Sequence, residues 1–473
     1  MTDTRMQIID QTKRTAETVE DQGLQRRLTQ RQLTMIAIGG AIGVGLFLGS
    51  SITIQLAGPG VIITYLIGAL ISMTVAYALA EMAVIHPVSG SFGIYAEKYL
   101  NPWAGFCVRA TYGLVQIIAI GAEVTAVAIY FAFWFPSVAG WFWVVLVSAG
   151  LISVNAMHVG NFGEFEYWFA MIKVIAILAF IVVGAALVTG VPLGHAIGWS
   201  NLTQNGGFFP HGFRGVWLAL TLGITSYMGV EVIAVTAGEA QQPEQSIPRA
   251  MKTIVFRLII FYVLAITIML AITPWNQTGS VTVSGSPFVR AFASVGTPHA
   301  ASIMNLVVIT AALSSANTNL YLSTRMLFSL SRGQYAPAWL GRLSRRGVPL
   351  SALAISAFGM VVAILLALFA PKNAFLLLYG TAVAGMFFVW IVILLTHLRF
   401  RQSISVETQQ GLPLRLRAHP LPTLASIAAI GAIAVSTLWV DGLRYTLLTF
   451  APFLLLMSVL YLNTRNQLNP KAE

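Results

Sequence analysis

Long apolar runs recur along the chain, separated by short polar connections. Runs long enough to cross about 30 Å of hydrocarbon as a helix fall at roughly 33–51, 60–85, 103–135, 141–158, 167–189 and 215–237. Six more follow, at roughly 254–273, 300–328, 349–369, 374–397, 421–440 and 445–462. Hydrocarbon offers a backbone no hydrogen-bonding partner, so a spanning segment must satisfy its own N–H and C=O groups, and helices are the form these runs predict. The pattern predicts an all-α integral membrane protein of about twelve transmembrane helices.

Glycines mark two of these runs as different. Gly39, Gly40, Gly43 and Gly45 interrupt the first, and Gly223 and Gly229 interrupt the sixth, where a spanning helix should be most regular. Interrupted segments five helices apart fit an inverted repeat, because an odd number of spans makes the second copy enter from the opposite face. The organisation predicted is an arm at 1–32, a first five-helix repeat at 33–189, a second at 190–397, a loop at 398–420, two further spans within 421–462 and a tail at 463–473.

Composition agrees with lipid as the solvent. Hydrophobic residues make up 57% and charged residues 9%, whereas soluble domains carry about 25% charge. The 41 glycines and 19 prolines are tolerated in membrane helices, where neighbours satisfy the freed backbone groups. A net charge of +11 raises the question of a nucleic-acid partner, and the placement of the basic residues answers it. Of the 27 lysines and arginines, all but Lys173, Arg214, Arg290, Lys372 and Arg444 fall in the termini or at even-numbered connections, among them Arg31, Lys98, Arg109, Arg249, Arg325 and Arg401. That alternation is a topology signal and predicts that both termini are cytoplasmic; no nucleic acid is expected. Cys107 is the single cysteine, so no internal disulfide or cysteine metal cluster is expected. The arm lacks the pattern of a removable signal peptide.

Few ionisable groups lie inside the spans. Glu231 sits among apolar residues just after the second break, and a buried acid there costs roughly 2.5–3.5 kcal/mol on insertion scales. It reads as a functional group or as a structural glutamate holding unwound backbone. Glu123 lies deep in the third span and Lys173 in the fifth. Lys173 is about 12 Å past its nearer edge, so it either snorkels or acts as a desolvated lysine that gains and loses a proton. The first glycine run either exposes N–H groups to an anion or packs helices closely through its small-xxx-small pairs. Thr310, Ser314, Ser315, Asn317 and Asn319 make the eighth span unusually polar, as helix glue or as part of a site. No His-Glu-x-x-His pair, serine elbow or Walker lysine is present, and an enzyme is not expected.

The pieces Gly-Gly-Ala-Ile-Gly-Val-Gly-Leu-Phe-Leu-Gly-Ser (39–50), Ala-Gly-Pro-Gly (57–60), Ala-Glu-Met-Ala-Val (80–84), Gly-Glu-Phe-Glu-Tyr-Trp (163–168) and Ala-Gly-Glu-Ala-Gln-Gln-Pro-Glu-Gln-Ser-Ile-Pro-Arg-Ala (237–250) resemble bacterial amino-acid permeases of the amino acid, polyamine and organocation transporter superfamily. The resemblance covers about residues 24–400, in order. It implies the leucine-transporter architecture, a 5+5 inverted repeat with two added C-terminal helices, in which the broken first and sixth helices form the substrate site. It further implies that N–H groups of Gly43, Val44 and Gly45 hold a substrate carboxylate while carbonyls around Ser226 and Tyr227 receive its ammonium. Ile42, Thr225 and Gly229 belong to the same two breaks, and Glu123, Tyr227 and Met228 would shape the pocket. Lys173 matches a lysine that resembles a tethered cation in place of sodium between helices one, five and eight, with Ser314 and Ser315 as neighbours; Glu231 joins this proton-coupling group. Relatives usually carry a bulky aromatic lid where this chain has Thr225.

The resemblance implies a proton-coupled symporter that takes up an amino acid by alternating access across a bacterial inner membrane. Its partners would be an amino acid, protons and lipid, with no cofactor or metal, in a monomer or loose oligomer. An amino-acid exchanger is the alternative within transport, and a membrane sensor the alternative outside it. The similarity spans permeases for proline, aromatic, basic and gamma-amino acids.

Overall fold

A computed structural model of the 473-residue chain describes residues 28–43, 45–157, 159–191, 196–277, 288–289, 299–369, 374–440 and 443–468. Val44, most of the arm and the end of the tail, and the basic residues Arg290, Lys372 and Lys471 lie outside the described residues.

The first stretch comprises α1 (Gln30–Ala41), a π-helical turn (Gly45–Gly49) and α2 (Ser50–Ala57). Then come α3 (Val61–Ile85), the short α4 (Ser91–Tyr99), α5 (Pro102–Phe131), α6 (Gly140–Asn155) and α7 (Val159–Thr189). The middle of the chain forms α8 (Gly212–Gly223), a 3-10 turn (Ile224–Tyr227), α9 (Val232–Thr236), α10 (Pro243–Leu258), a second π-helical turn (Ile259–Leu264) and α11 (Ala265–Ile272). The remainder is α12 (Ala300–Arg332), α13 (Leu350–Ser356), α14 (Phe358–Phe369), α15 (Ala374–Ser403), α16 (Val406–Gly411), α17 (Leu421–Ser436) and α18 (Arg444–Leu468). Among the described residues there is no strand, only an isolated bridge between Leu28 and Ala240.

Among the described residues, eight helical stretches are long and apolar enough to cross a membrane, and three shorter apolar helices accompany them. One of the eight, Ser50–Ile85, runs to 36 residues, about 54 Å as a continuous helix and far more than the hydrocarbon core. The turn Gly58-Pro59-Gly60, with Gly58 at φ 60°, ends α2 and restarts the chain as α3. Local signals set other starts. Thr29 and Gln32 form a capping box on α1, and Asn101 accepts from the Ala104 N–H at 2.8 Å ahead of Pro102, so α5 begins there.

Burial separates centre from rim. The most apolar part of Gly212–Glu239 is 89% buried, against 33% for Phe162–Thr189, Leu350–Phe369 and Leu421–Trp439. Gly212–Glu239 is therefore the axis of the bundle, and those three leave about two thirds of their apolar windows unburied. Around that axis α5 packs along α12 and α15, α1 leans on α7 and α10, and α2 and α3 flank α8.

One end of the bundle is closed by buried ion pairs. Arg325 near the end of α12 meets Glu239 at 2.5 Å, Arg109 in α5 meets Glu97, and Arg401 in α15 meets Glu81 of α3 at 2.6 Å. These three arginines are 3%, 0% and 7% exposed respectively, so the charges counted as topology markers there are internal fastenings. Glu81 is the most heavily bound acid: it also meets His397 at 2.9 Å and the Leu416 N–H at 2.5 Å. It ties α3 to the foot of α15 and to the segment ahead of α17. Removing one partner of a buried pair leaves the other desolvated and unpaired. Glu81→Ala is expected to cost about 3–5 kcal/mol and to lower the unfolding midpoint in detergent; an unshifted midpoint would show that Arg401 finds other partners.

Candidate functional site

The helix of the first stretch stops at Ala41 and resumes as a wide turn at Gly45. In between, Ile42 N donates to Gly39 O at 3.2 Å and Leu46 N to Gly43 O at 3.3 Å, tight i→i−3 bonds in place of the regular ladder. Carbonyls of this turn are then satisfied from outside. The Lys173 ammonium donates to Gly39 O at 2.6 Å, to Ile42 O at 3.0 Å and to Ser314 Oγ at 2.8 Å. Lys173 is 0% exposed, so it does not snorkel; its charge is spent on α1 and α12. The glycines let these groups come close: a Cβ on Gly43 would lie 2.7 Å from both Glu123 Oε1 and Ser315 Oγ, and one on Gly39 would run into Glu166 Oε1.

The second break is built differently. After the 3-10 turn, Met228 is extended at ψ 139° and Gly229 takes φ 106°, a region that costs any other residue strain. Glu231 Oε1 accepts from the Gly229 N–H at 3.1 Å and from the Tyr112 hydroxyl at 3.2 Å. The carboxylate thus holds unwound backbone, with no hydrogen bond to Lys173. On the other side Tyr262 donates to Ser226 O at 2.6 Å and Tyr227 donates to Tyr65 O at 2.7 Å. The rings of Tyr227 and Tyr262 sit 4.7 Å apart.

Between the breaks lies a narrow cavity of about 50 Å³, smaller than the roughly 300–1,000 Å³ of an open small-molecule site. Gly43, Gly45, Glu123, Thr225, Ser226, Met228, Gly229 and Ser315 line it. Glu123 Oε1 accepts from Ser315 Oγ at 2.7 Å, joining α5 to α12 across the cavity wall. Ile42, Lys173, Glu231 and Ser314 stand behind the lining. Tyr227 corrects an expectation: its side chain does not shape the cavity, because its hydroxyl is bound to α3 and its ring packs on Tyr65 and Tyr262.

Two groups of residues were not anticipated. Gln116, Ala119, Ala122 and Ala382 line the cavity beside Asn319 of the polar eighth span; the first three share a helix face with Glu123, so helical spacing could have found them. Glu166 is 0% exposed and accepts from Ser314 Oγ and, at 3.2 Å, from Asn317 Nδ2. Its signal was its position two turns before Lys173 on one face of α7.

Comparison with known proteins decides what this arrangement belongs to. The sequence model of the family described as "Amino acid permease" matches residues 32–469. The chain is 38% identical over 427 residues to the gamma-aminobutyric acid permease of Bacillus subtilis (strain 168), covering 90% of each chain. It is 37% identical over 441 residues to the aromatic amino acid transport protein AroP of Escherichia coli (strain K12), covering 93% of this chain and 95% of that one. A further relative, 40% identical over 446 residues, is the uncharacterized amino acid permease YtnA of Bacillus subtilis (strain 168), with 93% and 96% covered. The chain belongs to the amino acid permease family. This permease is a multi-pass membrane protein whose relatives are transporters rather than enzymes.

The two breaks suggest direct checks on the permease. Gly229→Ala is expected to cost roughly 1–3 kcal/mol, because φ 106° is a glycine conformation, and to lower the unfolding midpoint; an unchanged midpoint would mean that the turn relaxes. Gly43→Ala is expected to push a methyl group between Glu123 and Ser315 and to abolish any rise in melting midpoint that an amino acid is found to produce in the unaltered protein; an equal rise in the variant would show that Gly43 does not border the ligand.

Proposed function

We propose that this permease is a proton-coupled symporter that takes up an amino acid by alternating access, with no cofactor. The observation that carries the reading is the Lys173 ammonium bound to two carbonyls of the broken first helix and to Ser314 of α12. A charged donor makes short, strong hydrogen bonds and its neutral form makes weaker ones. Loss of the proton therefore loosens α1 from α7 and α12, and this is the movement that changes access to the cavity.

The substrate is bound as a zwitterion. Its carboxylate lies against the N–H groups of Gly43, Val44 and Gly45, and its ammonium lies near the carbonyls of Ser226 and Tyr227. The Ser226 carbonyl already accepts from Tyr262, and its second lone pair is left for the ammonium. Glu123, Thr225 and Met228 surround the rest of the molecule. Named relatives handle gamma-aminobutyric acid and aromatic amino acids, which supports an amino-acid substrate. In this reading the chain crosses the inner membrane of a bacterium about twelve times as two inverted five-helix repeats plus two helices, with both termini cytoplasmic. Exposed Arg342, Arg345, Arg346, Arg399, Arg415 and Arg417 on even-numbered connections support that orientation.

Lys173→Ala in liposomes is expected to lose accumulation driven by an inward proton gradient while amino acids still raise the melting midpoint; full accumulation by that variant would remove Lys173 from the mechanism. Thr225→Phe, which places a ring where the wall is small, should narrow the set of amino acids that compete for uptake. An unaltered competition profile would show that position 225 does not face the substrate.

A further inference from the structure

The proposed mechanism gives Lys173 a proton to lose but names no group to take it. Glu166 lies at hand. The Lys173 ammonium donates to Ser314 Oγ at 2.8 Å, and the Ser314 hydroxyl in turn donates to Glu166 Oε1. All three residues are 0% exposed. The hydroxyl is both acceptor from the cation and donor to the anion, which is the arrangement a proton transfer needs.

We propose that Glu166 is the proton acceptor of Lys173, reached through the Ser314 hydroxyl; this rests on the proton-coupled reading above. In the step, an N–H bond of Lys173 breaks and its proton joins Ser314 Oγ, while the original Ser314 proton passes to Glu166 Oε1. An ammonium and a carboxylate become an amine and a carboxylic acid, so no charge is created and no other reactant is needed. The pair then has no separate charges to keep desolvated, and the bonds to Gly39 O and Ile42 O weaken together.

Burial of all three residues favours the uncharged pair, while the polar groups around it steady the charged one. Among the described residues, the charged side chain that bears on the pair from a neighbouring element is Glu123 of α5, already bound by Ser315. The facing part of α1 presents carbonyls, and α12 presents hydroxyls and amides. From Glu166 the polar seam continues: Asn317 Nδ2 donates to Oε2 at 3.2 Å, and Asn155 Nδ2 donates to Asn317 Oδ1 at 2.6 Å. Asn155 borders a second, smaller cavity together with Phe162, Thr324 and Arg325, at the end of the bundle closed by the Arg325–Glu239 pair. Water entering there when that end opens takes the proton from Glu166.

The test uses full-length permease in liposomes loaded with a pH dye, an inward proton gradient, and a 14C-labelled mixture of the twenty amino acids with gamma-aminobutyrate. The unaltered protein is expected to accumulate label and acidify the lumen when the mixture is added. If it does neither, proton coupling fails and the relay falls with it. Glu166→Gln can still accept from Ser314 but cannot take up a proton. It should retain counterflow exchange of label, showing a folded site, and lose both gradient-driven accumulation and lumen acidification. If Glu166→Gln acidifies the lumen as the unaltered protein does, Glu166 is not the acceptor although proton coupling stands. Should Glu166→Gln show no counterflow, Ser314→Ala decides. It keeps both titratable groups and removes the bridge, so lost acidification with counterflow retained supports the relay, and retained acidification overturns it.

Discussion

A peptide group in hydrocarbon has no water to bond, so every place where a membrane helix unwinds must be repaired by some other group. Beside the cavity this permease unwinds two helices; the first is repaired by a side chain distant in sequence, the second by one local and one distant side chain. Lys173 supplies donors to carbonyls freed near Gly39 and Ile42, Glu231 accepts the N–H freed at Gly229, and Tyr262 donates to the carbonyl freed at Ser226. The chemistry of each repair differs in one respect. Tyrosine to carbonyl is a fixed bond, whereas lysine to carbonyl depends on a proton. One break is thus held by neutral donors and a carboxylate and the other by an ammonium, and the cavity lies between them.

The spans and the two interruptions were legible because each has a local cause. Apolar length demands a helix, and glycine clusters permit a break. The approximate place of the cavity followed, as did the need of Lys173 for partners, since a cation in hydrocarbon requires either a partner or a function. What a side chain bonds to was less legible. Tyr227 was expected to face the cavity, yet its hydroxyl reaches Tyr65 O, a partner 162 positions away that no local pattern announces. Arg109, Arg325 and Arg401 looked like charges left outside the membrane, and only the approach of Glu97, Glu239 and Glu81 in space shows them to be internal.

Glu166 is the instructive omission. It lies inside the motif that suggested the family, and it shares a helix face with Lys173, so periodicity alone pairs them. Its meaning came from α12, where Ser314 stands between the two and Asn317 supports the carboxylate. The polar stretch of α12 is therefore divided by direction: Ser315 and Asn319 line the cavity, while Ser314 and Asn317 face α7. Neighbouring residues on one helix thus line the cavity on one side and bind Lys173 and Glu166 on the other.

The helix that bears Lys173 and Glu166 is also among the least covered. Only 33% of its apolar window is buried, while the axis through the second break is 89% buried. A helix of 31 residues is about 46 Å long, and it fits a thinner or thicker bilayer by tilting. Tilt at α7 moves the lysine relative to the carbonyls it binds, and nothing comparable reaches the axis. Lipid thickness thereby has mechanical purchase on the break that Lys173 repairs.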